Sequence, residues 1–300
     1  MPGIKPPRLE TGDHIGIISP AGPVGESDLQ GGLAILEASG FKARLAPHVY
    51  DTEGYLAGKD EARLDDLHVM LKDQEIKAVF CARGGYGSLR LLDRISYDLF
   101  RINPKILVGY SDITALLMAV HKKTGLITFH GPMVRELDRG HQGNWEGLLR
   151  LLTSDKPAKL DLSGCSVLVP GRAKGPLMGG NLSLICHLLG TPFLPSLDGC
   201  ILFLEDRGEA LYRLDRMLTH LALTGRLEGI SGLIAGQFDG CGEEGDINRL
   251  LLEIVSESEI PLVTGFPVGH GKQNLALPIG LMADLNTALM TLTIKEACVR

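Results

Sequence analysis

Short apolar runs in the first half of the chain stop at turns of glycine, proline or serine, and a helical pattern follows each one. His14–Ile18 runs into Ser19-Pro20-Ala21-Gly22, after which apolar residues recur at helical spacing from Asp28 to Ser39. Phe41–Tyr50 reads as a second strand, ahead of a helix over Asp60–Lys72 whose apolar side is Leu64, Leu67, Val69, Met70 and Leu71. Ala78–Ala82 is a third, passing through Arg83-Gly84-Gly85-Tyr86-Gly87 into a helix from about Ser88. Ile106–Gly109 is a fourth, followed by a helix through Ala115–Lys122. Strands separated by helices pair in parallel, so this half is expected to be a layered α/β domain with a parallel sheet.

The texture changes around residues 138–172, which are polar and rich in Gly, Pro and Lys. This predicts an N-terminal domain over 1–140, a linker over 141–172 and a second domain over 173–300, in keeping with 300 residues as two domains. The second domain mixes strands (Cys200–Asp206, Ser231–Phe238, Ile260–Phe266, Thr287–Ile294) with helices (Leu182–Leu189, Leu211–Leu223). Its last segment, Leu281–Ile294, alternates as a hairpin would, so a smaller mixed β/α domain is expected.

Charge and cysteine content exclude several classes. Thirty basic against 36 acidic residues give a net charge of −6 without a basic stripe, so nucleic acid is not an expected partner. No apolar run is long enough for a transmembrane helix and the N-terminus lacks a signal-peptide pattern, so a cytoplasmic protein without membrane contact is expected. Six dispersed cysteines without a CxxC pair read as reduced thiols. Neither HExxH nor a close His/Cys/Asp group is present, so no metal or other cofactor is expected. Glycine is in surplus, 38 residues against about 21 at a usage of roughly 7%.

Three constellations could carry chemistry. In Leu107-Val108-Gly109-Tyr110-Ser111-Asp112 an apolar strand meets glycine, then serine, then a helix start, which is the local form of a nucleophile elbow. The same residues also suit a plain helix cap by Ser111 or Asp112, and Ile113 replaces the second glycine of the usual motif. A serine needs a base. Among nine histidines, His130 and His270 each end an apolar segment beside glycine. A base needs an orienting acid, and the apolar strand Ile201–Leu204 runs straight into Glu205-Asp206, where a carboxylate is costly unless paired. Ser111, Glu205 and His270 then follow the order Ser…Glu…His, which triads on α/β sheets allow. The Arg83–Ser88 loop is a weak dinucleotide fingerprint and a better oxyanion loop, with Arg83 available to a substrate carboxylate. Gly179-Gly180-Asn181 reads as a strand-to-helix turn capped by Asn181.

These stretches together resemble the LD-carboxypeptidase family of serine peptidases (peptidase family S66), which includes murein tetrapeptide carboxypeptidases and microcin-C self-immunity peptidases. The likeness rests on IISPAGP, ARGGYGSLRLL, VGYSDITALL with HGP downstream, PLMGGNLSLICHLLGTP, ILFLEDRGEALYRLDRML and GHGKQNLALPIG, spread over nearly the whole chain. One departure is Leu211, where many members carry proline. The resemblance implies a flavodoxin-like N-terminal domain joined to a swivelling β/β/α-type C-terminal domain, with the site in the cleft between them. It implies Ser111 as nucleophile, His270 as base, Glu205 as its partner, and the N–H groups of Gly85 and Asp112 as oxyanion hole. It also implies a homodimer working without metal.

The expected activity is hydrolysis of an L,D-peptide bond in a small peptide, with release of terminal D-Ala from murein tetrapeptide in cell-wall recycling. The alternative within the class is a microcin-immunity-type peptidase cutting an aminoacyl-nucleotide amide, which would want an aromatic platform from Trp145 or the tyrosines. From another class, a flavodoxin-like binding protein would use the glycine loops for a phosphate or sugar and leave Ser111 as a cap.

Overall fold

The chain is described by a computed structural model covering residues 3–138, 142–256 and 258–300. In chain order, β1 (His14–Ile18), α1 (Glu26–Ala38), β2 (Lys42–Leu45), α2 (Asp60–Lys72), β3 (Ile76–Cys81), α3 (Asp98–Ile102), β4 (Ile106–Gly109), α4 (Thr114–Thr124) and β5 (Thr128–His130) build the first layer system. The five strands lie in the order β2-β1-β3-β4-β5 and all pair in parallel. That is the flavodoxin-like order, whose ligand crevice opens at the carboxyl ends of β1 and β3, where the chain switches direction. Ile15, Ile17, Val79, Phe80, Leu107 and Val108 are fully buried. Helices on both sheet faces remove such strands from water, each large side chain contributing roughly 1.5–3 kcal/mol. The helix of the Asp60–Lys72 pattern forms at those residues, with Asp60 and Glu61 in its first turn and Lys72 in its last, as the helix dipole favours.

The rest of the chain forms α5 (Gln142–Thr153), β6 (Lys159–Asp161), β7 (Ser166–Val169), β8 (Arg172–Asn181), α6 (Leu182–Leu188), β9 (Ile201–Arg207), α7 (Leu211–Leu223), β10 (Gly232–Asp239), α8 (Glu244–Val255), β11 (Leu262–Thr264), β12 (Leu277–Ile279), β13 (Met282–Asn286) and β14 (Thr291–Ile294). The second sheet runs β6-β14-β13-β8-β9-β10-β11-β7, parallel from β8 to β11 and antiparallel at both flanks. β13 and β14 are the hairpin that the alternation of Leu281–Ile294 predicts.

The segment expected as a linker, 141–172, is structured where it is described. It carries α5, and β6 and β7 close the two edges of the second sheet. Its polarity has a physical reason: edge strands keep one side in water, and every residue of β7 is at least partly exposed. Lys159 and Asp161 are likewise exposed on β6. Leu211, the departure from the family's proline, is the first residue of α7 after Ala210. Proline suits that position but is not required there.

One strand crosses between the two systems. β12 belongs in sequence to the second half, yet it pairs antiparallel with β5 at the edge of the first sheet, Leu277 opposite His130. A further tie runs from the Asn181 N–H to the Thr114 hydroxyl at 3.1 Å. Next to it Gly180 must be glycine: its φ is +142°, and a Cβ would lie 2.6 Å from the Thr114 side chain.

Candidate active site

The elbow forms because β4 ends at Gly109 and α4 begins within five residues. A Cβ on Gly109 would lie 2.6 Å from Ile113, so only glycine lets the turn close this tightly. Ser111 takes φ +61°, a left-handed conformation that is uncommon for serine and costs on the order of 1–3 kcal/mol. Ser111–Ile113 form a short 3-10 turn leading into α4, so the Asp112 N–H is among the first amides of a helical start and has no acceptor within it. The Asp112 side chain is buried and accepts the Ser88 N–H at 2.8 Å. Burial raises its carboxyl, and that hydrogen bond works against the rise. The bond ties the Ser111 turn to the glycine loop after β3.

That loop lies against Ser111. A Cβ on Gly84 would sit 3.0 Å from the Ser111 Cβ and 3.1 Å from its hydroxyl oxygen. Gly85 has φ +114°, and a Cβ there would meet the Gly22 backbone at 3.0 Å. Gly22 in turn donates its N–H to the Gly84 carbonyl at 3.0 Å. The turns after β1 and β3 therefore pack backbone on backbone at the switch point of the sheet.

His270 reaches the site because the loop that carries it leads into β12, which is paired to the first sheet. Its Nε2 stands 3.0 Å from the Ser111 hydroxyl and its Nδ1 2.6 Å from Glu205 Oε2. Glu205 lies within β9 and is fully buried, while the His270 side chain is 11% exposed. Burial disfavours the imidazolium, but the hydrogen bond and charge of Glu205 outweigh it, so His270 is held above the usual histidine range. Gly269 admits this contact at φ +113°; a Cβ there would come within 2.6 Å of Glu205 Oε2. The Gly269 N–H donates to Asn274 Oδ1 at 3.0 Å and the Gly271 N–H to Gln237 Oε1 at 2.7 Å, fixing the loop on both sides of the imidazole.

The other candidates fall into distinct places. His130 is fully buried against Tyr110 and Phe203 at 5.6 and 5.3 Å, and burial pushes it down to about 3, which leaves it a neutral packing residue. Asp206, neighbour of Glu205, is consumed by structure: it accepts from Asn181 Nδ2, the Ser183 N–H and hydroxyl, and the Arg207 N–H at 2.8–3.0 Å. Asn181 caps α6, its Oδ1 accepting the Leu184 N–H. Arg83 donates to the Pro23 carbonyl at 2.9 Å and lines an open cleft with Tyr55, Tyr86 and Gly85. Trp145 packs edge-on to Phe41 and Phe80 in the core and donates to the Ser39 hydroxyl, so it offers no platform to a base. Exposed Tyr55 and Tyr86 lie 5.6 Å apart. His141 lies outside the described residues.

Sequence reasoning misses Tyr110 and Gln237. Tyr110 lies tilted against His270 with ring centres 4.9 Å apart and donates to Glu136 Oε1 at 2.8 Å, which steadies the imidazole. Its signal was a bulky aromatic inside a turn otherwise made of small residues. Gln237 was visible as the one amide in the apolar strand Ser231–Phe238.

Comparison with known proteins identifies the family. The LD-carboxypeptidase N-terminal domain matches residues 15–131 and the LD-carboxypeptidase C-terminal domain residues 174–285. The chain is 42% identical over 300 residues to a probable murein peptide carboxypeptidase of Bacillus subtilis, covering 97% of this chain and 94% of that one. It is 34% identical to the murein tetrapeptide carboxypeptidase of Pseudomonas aeruginosa, covering 91% and 92%. Among solved structures, an MccF-like protein from Bacillus anthracis superposes with a TM-score of 0.91 at 29% identity, over 98% and 99% of the two chains. Both domain matches, in the order and at the positions where the two sheets form, establish that the chain belongs to the LD-carboxypeptidase family, S66, of serine-type carboxypeptidases.

Proposed function

We propose that the protein hydrolyses an L,D-peptide bond and releases the terminal D-Ala of a murein tetrapeptide by a Ser-His-Glu acyl-enzyme route. The observation that carries the proposal is the continuous chain from the Ser111 hydroxyl through both ring nitrogens of His270 to the buried carboxylate of Glu205, at 3.0 and 2.6 Å. In this reading Ser111 attacks the scissile carbonyl as His270 Nε2 takes its proton. Glu205 holds the ring with Nδ1–H toward itself and offsets the imidazolium charge. The N–H groups of Gly85 and Asp112 receive the oxyanion. His270 then hands its proton to the departing amine, and water resolves the acyl enzyme by the same steps.

Arg83, at the cleft mouth beyond Gly85, is proposed to hold a carboxylate on the acyl side of the substrate. We further propose a cytoplasmic role in cell-wall recycling and a homodimeric state. The first accords with the absence, among the described residues, of any helix long and apolar enough to cross a membrane. The second is an expectation from the family alone, and light scattering tests it. The aminoacyl-nucleotide alternative loses Trp145 as a platform and retains only the exposed Tyr55 and Tyr86 pair.

The deciding assay incubates purified protein with murein tetrapeptide and measures free D-Ala. Release that survives EDTA and disappears in Ser111→Ala supports the reading. Release that persists without the Ser111 hydroxyl, or that chelator abolishes, overturns it.

A further inference from the structure

Two separate hollows lie near Ser111 and His270, and His270 itself lines one of them. One is the open cleft at Arg83 and Gly85; the other is a small cavity of about 150 Å³ bounded by the His270 ring, Tyr110, Glu136, Arg207, Lys272 and Asn274. Acid–base chemistry tells them apart. The amine that leaves must accept its proton from His270 Nε2, so the leaving residue lies beside His270, and the acyl part extends along the glycine loop. The cavity beside His270 is therefore where the residue released by a carboxypeptidase would sit.

Its lining suits such a residue. A C-terminal residue differs from an internal one by its free carboxylate, and the cavity presents two cations. Arg207 pairs through Nε with Asp239 at 3.2 Å, which orients the guanidinium and leaves its Nη edge as the remaining donor. Lys272 is exposed and has no acidic partner among the described residues. Among the described lining residues the one acid, Glu136, is already engaged by the Tyr110 hydroxyl at 2.8 Å and the Met133 N–H at 3.4 Å, and burial raises its carboxyl. The Lys272 backbone is held in place too: its carbonyl accepts Asn144 Nδ2 at 3.1 Å, and Asn144 Oδ1 accepts the Asn274 N–H at 2.9 Å. The hollow is small, about 150 Å³, and has space for a residue of alanine's size.

We propose that Arg207 and Lys272 receive the C-terminal carboxylate of the leaving residue in this cavity, and that its size restricts that residue to small side chains. The proposal rests on the peptidase reading above and adds to it the element that selects a chain end. Arg207 is the stronger partner, since a guanidinium edge matches both carboxylate oxygens, whereas Lys272 acts as a point charge.

The test compares kcat/KM for a tetrapeptide ending in D-Ala, the same peptide ending in D-alaninamide, and one ending in D-Phe. The intact enzyme is expected to favour the free acid over the amide by about 100-fold, and D-Ala over D-Phe by at least about 10-fold. In Arg207→Gln and Lys272→Gln the acid-to-amide preference should fall by on the order of 10-fold each, chiefly through KM, with Arg207→Lys recovering part of it. Thermal midpoints report folding separately. A general structural role would lower acid and amide together and leave the ratio unmoved, which overturns the carboxylate assignment. Equal turnover of D-Ala and D-Phe overturns the size limit. If the intact enzyme cleaves none of the three, the peptidase reading falls and this proposal falls with it; cleavage with an unmoved ratio sinks only the proposal.

Discussion

Gly269→Ala is the sharpest probe of the triad, because the structure gives the size of the disturbance. Gly269 sits at φ +113°, and an alanine Cβ would lie 2.6 Å from Glu205 Oε2, where ordinary contact begins at 3.4 Å. The shortfall is 3.4 − 2.6, about 0.8 Å, and something must move by that much. The oxygen concerned is the one bonded to His270 Nδ1 at 2.6 Å. Either the carboxylate withdraws from the ring or the loop lifts the ring from Ser111. Displacements near 1 Å at a reacting group cost roughly 10²-fold, so kcat should fall by about that factor. The φ adds strain of about 1–3 kcal/mol, which at 2–4 °C per kcal/mol lowers the melting midpoint by roughly 2–12 °C.

Gly190→Ala supplies the control. Its φ is +76° and nothing lies within 4 Å of the built Cβ, so it carries comparable strain without a collision. Its midpoint should drop while kcat stays within about twofold. D-Ala release and differential scanning calorimetry on both variants separate the two effects. If Gly269→Ala loses stability like the control but keeps full kcat, the spacing between Glu205 and His270 is not what this glycine protects, and the reasoning fails.

Gly84→Ala needs no unusual backbone but sets a methyl 3.0–3.1 Å from the Ser111 side chain, so kcat should drop about 10-fold or more with an unchanged midpoint. For pH, His270 must be neutral to take a proton, and Glu205 holds it above the usual histidine range. Activity should therefore rise with pH through a limb above about 6.5, and Glu205→Gln should move that limb down as well as lower the plateau. The stability contributed by the same pair is complete below about 6.5 and is lost as pH rises through the folded-state value, which a melting series in that window reads. Within the second sheet, Asp284 on β13 accepts from Arg172 at 2.7 and 3.0 Å and lies 2.8 Å from Lys295; Arg172, more than Lys295, holds its carboxyl well below the usual range. Asp284→Asn should cost about 1–3 kcal/mol at neutral pH. The gap from the parent should close as pH falls below about 4, because the Asp284 contribution is present above its unfolded value and lost below it.

In the parallel half β1, β3 and β4 were legible because they are buried and read as apolar runs ending in sharp turns, whereas β2 is an exposed edge strand. β6 and β7 were not, because an edge strand exposes one side and its composition passes for a loop. The triad candidates were legible from local chemistry: glycine beside Ser111 and His270, and an acid at the end of an apolar run. Choosing His270 over His130 needed three dimensions, since both follow an apolar segment and carry a glycine. What separates them is that His130 lies inside β5, under Tyr110, while His270 sits on a loop whose two glycine amides are pinned. Arg207 and Lys272 were invisible for a similar reason, as nothing local marks an exposed cation as facing a cavity.

The pairing of β12 with β5 accounts for how residues 159 positions apart meet at hydrogen-bond distance. A swivel between two independently closed domains would leave the Ser111–His270 distance free to vary. Here the His270 loop is tied to both sheets: the strand after it pairs with β5 of the first, and the Gly271 N–H and Val268 carbonyl bond to Gln237 of β10 in the second. Glu205 belongs to the second sheet, and Gly269 packs so closely against it that a Cβ would lie 2.6 Å from Oε2. Relative motion of the sheets would therefore strain both the 2.6 Å contact to Glu205 and the 3.0 Å contact to Ser111. The demand for close fit falls on the carboxylate that contacts His270, because that contact is built against a glycine with no room for a methyl group.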